Sequence, residues 1–167
     1  MQRIALLLTD VDGVLTDGGI TFDGNGVETK TFNVRDGLGV RLWQRAGGRF
    51  GIITGRASKI VEQRGAELDI EFVYQAVKEK LSVVRNLAKE LGLSLDQIAY
   101  VGDDLPDLPT IRAVGFGAAP TDAAPELLES ADYVTTAPGG RGVLREVIEK
   151  LLKDSGMWEE ATGPLHG

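Results

Sequence analysis

Residues 4–17 read IALLLTDVDGVLTD, and the fold of the chain turns on how this stretch divides. The apolar run at residues 4–8 is too short for a helix of ordinary length and reads as a buried parallel strand that releases the chain at Thr9. Asp10 and Asp12 then stand at the strand's carboxyl end, the edge of an open α/β sheet where ligands usually bind. Gly13 lets the backbone turn close to a ligand. Two acids in this spacing suit two jobs: Asp10 attacks an electrophile such as phosphorus, and Asp12 protonates the leaving oxygen and then activates water. Carboxylates this close repel unless a cation shares them, which points to Mg2+, a hard ion that takes oxygen ligands. A solvated Asp- and Gly-rich turn would have the same spelling.

Composition narrows the chemistry. The 167 residues suit one domain, here residues 1–153 with a hairpin at about 18–33 and a tail at 154–167, and leave little room for a separate lid domain. A formal charge of -7 disfavours nucleic acid and anionic membrane as partners and leaves a small molecule as the expected ligand. With no cysteine and a single histidine, His166 in the tail, the chemistry falls to carboxylates, Lys and Arg. No apolar run approaches a membrane span and no signal-peptide pattern stands at the start, so a cytoplasmic protein is expected.

The chain leaves the first strand for Asp23-Gly24-Asn25-Gly26 between segments of alternating character, a hairpin signal. An isolated hairpin is marginal in water, so this one is expected to cover the site, pair with another subunit, or both. The stretch Asn33, Val34, Arg35, Asp36 and Gly37 then opens a helix expected at residues 37–46 and could bind a polyol through Asn33, Arg35 and Asp36. Alternatively, Asp36 only caps that helix and Arg35 is solvated.

Three further strand ends carry candidates. Residues 50–53 lead into Thr54-Gly55-Arg56, a phosphate seat before a helix over 57–68, with Arg64 two turns along it and Arg41 on the preceding helix. These arginines are equally consistent with solvated helix surface. After a strand at 72–74, Lys78 and Lys80 open a helix reaching 91, and Lys80 is the better placed to neutralise Asp10 and a phosphate together. A strand at 98–101 ends in GDDLPD, where Asp103, Asp104 and Asp107 are costly so close together unless they hold a cation. Strands at 114–117 and 133–135, and helices at 123–129 and 142–153, complete the architecture. The loop at 139–142, GGRG, reads as a plain connection, and the tail with an exposed-looking Trp158 reads as disordered unless it docks. Alternating strands and helices, with each candidate after a strand, give an α/β fold with a Rossmann-like parallel sheet flanked by helices.

DVDGV at residues 10–14, TG at 54–55, Lys80 and GDDLPD at 102–107 stand in the order that resembles the haloacid dehalogenase superfamily of phosphatases. LTDVDGVLTDG, FNVRDGLGV, ITGR and YVGDDLPDLP bring the chain closer to the family of 3-deoxy-D-manno-octulosonate 8-phosphate (KDO 8-phosphate) phosphatases, over nearly its whole length. The resemblance implies a capless fold, Mg2+, and an aspartyl-phosphate on Asp10 during hydrolysis of the sugar-acid phosphate in lipopolysaccharide precursor synthesis. It further implies that Asp12 is the acid/base and gives its carbonyl to the metal, that Asp103 completes the ligands, and that Thr54 and Lys80 bind the phosphoryl group. Residues 33–37, Arg41, Arg56 and Arg64 match substrate-contacting positions, while Asp104 and Asp107 would orient ligands or loops. A homotetramer in which a neighbour's hairpin and tail cover the site is also implied. The related 2-keto-3-deoxynononate 9-phosphate phosphatases carry Glu at the position of Arg56, so Arg56 favours the octulosonate, its guanidinium suiting a substrate carboxylate. Two alternatives remain: a phosphatase for another sugar-acid phosphate, including sialic-acid-like nonulosonates, and a non-catalytic oligomerisation scaffold.

Overall fold

The computed structural model describes residues 4–163, so His166 lies outside the described residues. The first strand, β1 (Leu6–Thr9), is buried along its whole length. Leu7 faces one core with Phe50 and Ile52, while Leu6 and Leu8 face the other with Ile53 and Tyr100. A strand covered on both faces needs apolar residues at every position, which is why LLL does not alternate.

After β1 come the hairpin strands β2 (Thr21–Phe22) and β3 (Glu28–Thr29), an antiparallel pair of only two rungs. Its turn is fixed by the Asp23 carboxylate, which accepts from the Asn25 and Val27 amides at 2.8 and 2.9 Å. The other strands are β4 (Arg49–Ile53), β5 (Phe72–Tyr74), β6 (Ile98–Val101), β7 (Phe116–Ala119) and β8 (Tyr133–Val134). With β1 they make one parallel sheet in the order β5-β4-β1-β6-β7-β8. Strand β1 registers Thr9 opposite Ile52 and Val101, so the carboxyl ends of β1, β4 and β6 finish side by side.

Helices α1 (Val34–Arg45), α2 (Lys59–Glu67) and α6 (Val143–Asp154) cover the face of Leu7. Helices α3 (Lys80–Leu91), α4 (Leu108–Ile111) and α5 (Pro125–Ser130) cover the face of Leu6 and Leu8. Close approach of α1 and α6 depends on Gly39, where a Cβ would stand 3.1 Å from the Arg145 Cα.

Three expectations change. Helix α1 starts three residues earlier than expected because Asn33 is extended, at φ -89 and ψ 130, and its side chain accepts from the Arg35 amide. Strand β7 lies later than residues 114–117: its run of Gly and Ala carries little strand propensity, yet all four residues are buried in the sheet. The described part of the tail is an element of the core. Helix α7 (Trp158–Thr162) buries Ala161 and Thr162, and half-buried Trp158 lies under Arg145 and Lys153, with cation-to-ring distances of 5.7 and 5.1 Å. Arg45 Nη1 donates to the Ala161 carbonyl at 3.0 Å.

Candidate active site

The loop after β1 is shaped by its own backbone. The Asp10 amide donates to the Val101 carbonyl at 2.9 Å, which extends the β1–β6 ladder one residue past the strand. The amides of Val14, Leu15 and Thr16 then turn back onto the Val11 carbonyl. Gly13 has φ +90, and a Cβ there would run into the Asp103 carboxylate at 1.9 Å. Glycine is required at that position on both counts. The GGRG loop is more than a connection: the Gly140 amide donates to the Val14 carbonyl at 2.9 Å, and a Cβ on Gly139 would lie 2.2 Å from the Gly13 carbonyl oxygen. It braces the loop from behind.

Four charged groups meet at this point. Lys80, the first residue of α3 and almost fully buried, donates to Asp10 Oδ2 at 2.5 Å and to Asp107 Oδ1 at 2.6 Å. Asp10 Oδ1 accepts from the Val11 amide at 2.7 Å. Asp107 is saturated: besides Lys80 it accepts from the Tyr100 hydroxyl at 2.6 Å and, through Oδ2, from the Asp103 and Asp104 amides. Asp10, Asp103 and Asp107 bring carboxylate oxygens within 4.8 Å of one another, and among the described residues one ammonium, that of Lys80, pairs with them. Burial, and after it the charge of Asp107, pushes the Asp10 carboxyl up against the pull of Lys80. Asp103 is pushed up to about 7, first by burial and then by the charges of Asp10 and Asp107. Burial works against the Lys80 ammonium, but Asp10 and Asp107 outweigh it and hold its pKa above the ordinary value. Excess negative charge on hard oxygens is the electrostatic signature of a divalent-cation site. Asp107 is committed to Lys80, Tyr100 and two amides, so the oxygens available to an ion are those of Asp10 and Asp103.

Asp12 faces the hairpin. One of its oxygens is ion-paired with Lys30, and the other lies 3.8 Å from Arg56 Nε. Arg56 Nη2 donates to Glu28 at 2.9 Å, and Lys30 Nζ lies 3.5 Å from the same carboxylate. Neither Lys30 nor Glu28 belongs to a motif in the sequence. Their signal was the strand period: residues two apart in an extended segment share a face.

The remaining candidates separate into groups. Thr54 is buried beyond β4, its amide donating to the Tyr74 carbonyl at 2.9 Å and its carbonyl accepting from Val77 at 3.1 Å. Val34 and Arg35 are exposed at the start of α1, beside half-buried Asn33. Arg64 stacks over Phe32 at 5.6 Å and approaches Gly37, so it belongs with that cluster. Arg41 is directed elsewhere: it donates to Asp69 at 2.5 Å and to the Glu67 carbonyl at 2.7 Å, at the end of α2 remote from the strands' carboxyl edge. Asp36 is neither an open substrate group nor the cap of its own helix. It is 2% exposed and accepts from the Arg145 amide at 2.8 Å, which makes it the cap of α6, whose own cap residue is Gly142. Asp104 caps the short 3-10 turn Leu105–Asp107 through the Leu105 amide at 2.8 Å.

Known proteins bear on this arrangement. The family model described as haloacid dehalogenase-like hydrolase matches residues 70–147. KdsC of Escherichia coli strain K12, a 3-deoxy-D-manno-octulosonate 8-phosphate phosphatase, is 47% identical over 162 residues, 97% of this chain and 86% of its own length. The crystal structure of the 3-deoxy-D-manno-octulosonate 8-phosphate phosphatase from Moraxella catarrhalis, in complex with magnesium ion, phosphate ion and KDO, superposes with a TM-score of 0.95 at 41% identity, covering 97% of this chain and 93% of that one. The cobalt-bound form of the Haemophilus influenzae phosphatase (YrbI) gives 0.89 at 38% identity, over 93% and 91%. With this identity along nearly all of its length, the chain belongs to the 3-deoxy-D-manno-octulosonate 8-phosphate phosphatase family of haloacid dehalogenase-like hydrolases.

Proposed function

We propose that this chain is a Mg2+-dependent phosphatase that hydrolyses 3-deoxy-D-manno-octulosonate 8-phosphate to KDO and phosphate through an aspartyl-phosphate on Asp10. The observation that carries the reading is the buried Asp10–Lys80–Asp107 cluster, with Asp103 beside it, at the carboxyl end of the central strand. Asp10 is the nucleophile. One of its oxygens bonds to phosphorus while the bond from phosphorus to the sugar oxygen breaks, and Asp12 gives that oxygen its proton. In the second half Asp12 takes a proton from water as the water oxygen attacks phosphorus, which releases phosphate and restores Asp10. Lys80 offers positive charge to the transferring group, and Asp107 and Tyr100 fix where that charge sits. Thr54 joins Lys80 in holding the phosphoryl oxygens.

Asp10 and Asp103, with the Asp12 carbonyl, would hold Mg2+. The residues fit the ion: two carboxyls whose ionisation is opposed by burial and mutual repulsion gain from a shared divalent cation, and Gly13 leaves open the space beside Asp103. When bound, the ion supplies positive charge against the phosphoryl oxygens and the carboxylates together.

Arg56, whose guanidinium stands at the mouth beside Asp12 and Glu28, supports recognition of a substrate carboxylate. Asn33, Arg35 and Arg64 are assigned in this reading to the sugar hydroxyls. Exposed Ile20, Phe22 and Val27 on the hairpin, 51, 56 and 57% accessible, support assembly with further copies, a homotetramer in our reading, in which the hairpin and tail cover neighbouring sites. No helix among the described residues is long and apolar enough to cross a membrane, and a cytoplasmic role in lipopolysaccharide precursor synthesis goes with this substrate.

The test is phosphate release with Mg2+ from KDO 8-phosphate, 2-keto-3-deoxynononate 9-phosphate, N-acetylneuraminate 9-phosphate and an aryl phosphate. A kcat/KM preference for the first is expected. Preference for a nonulosonate would overturn the reading of Arg56, and silence on all four would point to a non-catalytic scaffold.

A further inference from the structure

Lys30 lies just beyond β3, on a hairpin whose residues 18–27 are all exposed, yet its side chain is only 2% accessible. Burying an ammonium is costly unless it is paired, and this one is paired twice: with Asp12, and with Glu28 at 3.5 Å. Asp12 is thereby fixed between two cations, Lys30 at one oxygen and Arg56 Nε at the other, 3.8 Å away. The hairpin's own ladder has only two rungs, so these ion pairs do more to place it than its backbone does.

We infer that Lys30 is a positioning residue for the proton donor: its ammonium aims the Asp12 carboxyl at the leaving oxygen and ties that aim to the position of the hairpin. The inference rests on the phosphatase mechanism above, in which Asp12 moves the proton. Lys30 pairs with Asp12 and Glu28, whereas Lys80 pairs with Asp10 and Asp107, so the two lysines divide the two acids of the reaction between them.

An acid aimed at the leaving oxygen matters where that oxygen is strongly basic and hardly at all where it is not. The sugar alkoxide of KDO 8-phosphate needs the proton, while the nitrophenolate of p-nitrophenyl phosphate leaves without it. The experiment is a rapid-quench measurement of the first turnover, with Mg2+, on both substrates for wild type, Lys30→Met and Lys30→Gln. The Gln variant keeps an amide donor in the buried position and decides the matter should the Met variant fold poorly. General acids contribute roughly 100-fold or more, and misplacing a reacting group costs a similar factor. The charge-removing variants are expected to slow phosphoryl transfer from the sugar phosphate by on the order of 100-fold, and from p-nitrophenyl phosphate by several-fold at most. In an Asp12→Asn background the Lys30 substitution is expected to add almost nothing, since it acts through Asp12. Equal losses on both substrates, or additive losses with Asp12→Asn, would overturn the inference and make Lys30 an anchor of the hairpin only. A wild-type protein silent on both substrates would sink the phosphatase reading itself.

Discussion

Replacing Asp36 by Asn separates two roles, sugar contact and helix cap, that the sequence could not tell apart. Its carboxyl lies between α1 and α6; Oδ1 accepts from the Arg145 amide at 2.8 Å and Oδ2 reaches no donor. Burial pushes its pKa from 3.8 to about 6 against the pull of the Arg145 and Leu144 amides and Arg64. A carboxyl raised in this way binds its proton more tightly in the folded chain than in the unfolded one. Its contribution to stability is therefore most favourable in acid, and is lost as pH climbs from near 4 through about 6. The displacement from 3.8 to about 6, at roughly 1.4 kcal/mol per pH unit, corresponds to about 3 kcal/mol at neutral pH. In Asp36→Asn the amide oxygen still accepts from Arg145, and no charge has to be desolvated. The stability of the variant relative to wild type is expected to rise by up to about 3 kcal/mol between pH 4 and pH 7, then level off. Urea unfolding followed by tryptophan fluorescence at half-unit pH steps measures it. A difference that stays flat across that range would refute the argument. A KM raised tenfold with stability unchanged would return Asp36 to the sugar site.

Asp10→Asn is expected to abolish turnover, since an amide is a poor nucleophile and a weaker partner for Lys80; phosphate release within tenfold of wild type would remove Asp10 from that role. Arg56→Glu places a third acid beside Asp12 and Glu28, and should lower kcat/KM for the sugar-acid phosphate by roughly 10- to 100-fold more than for an aryl phosphate. Equal losses would assign Arg56 to phosphate binding or folding. Truncation after Gly156 removes Trp158, Ala161 and the Arg45–Ala161 hydrogen bond, so the urea midpoint should fall by an amount worth roughly 3 kcal/mol; an unchanged midpoint would show that α7 adds nothing to the core.

The sheet was legible where burial on both faces forces a continuous apolar run, as in β1 and β6, because runs this short suit an interior parallel strand better than a helix. The acids were legible because each falls just past such a run. Strand β7 was misplaced because its Gly and Ala residues are chosen for tight packing: a Cβ on Gly117 would stand 2.9 Å from the Ile111 carbonyl oxygen. The destination of Asp36 depends on a helix that begins more than a hundred positions later, which no local pattern encodes. Lys30 was passed over for the same reason, since an isolated lysine on a hairpin reads as solvated until the loop after β1 is seen beneath it. Whether the tail docks was open in the sequence, because a short segment with Trp158, Ala161 and Thr162 against the core has no periodicity to measure, although two cations stack on that Trp.

The brace that Gly139 and Gly140 form behind Gly13 and Val14 has a consequence for synthesis on the ribosome. Asp10 is made well before β6 and the glycine brace, and β1 needs β6 on one side and the brace behind before its loop takes shape. At roughly 5–20 residues per second, on the order of ten seconds pass between the appearance of the nucleophile and that of its brace. In the early part of that interval, until β6 follows β4, the Leu6–Thr9 segment keeps an unpaired apolar edge, open to the same segment on a neighbouring nascent chain. Catalysis thus waits for a loop made long after the nucleophile, and the most exposed moment of β1 comes before the site has any activity.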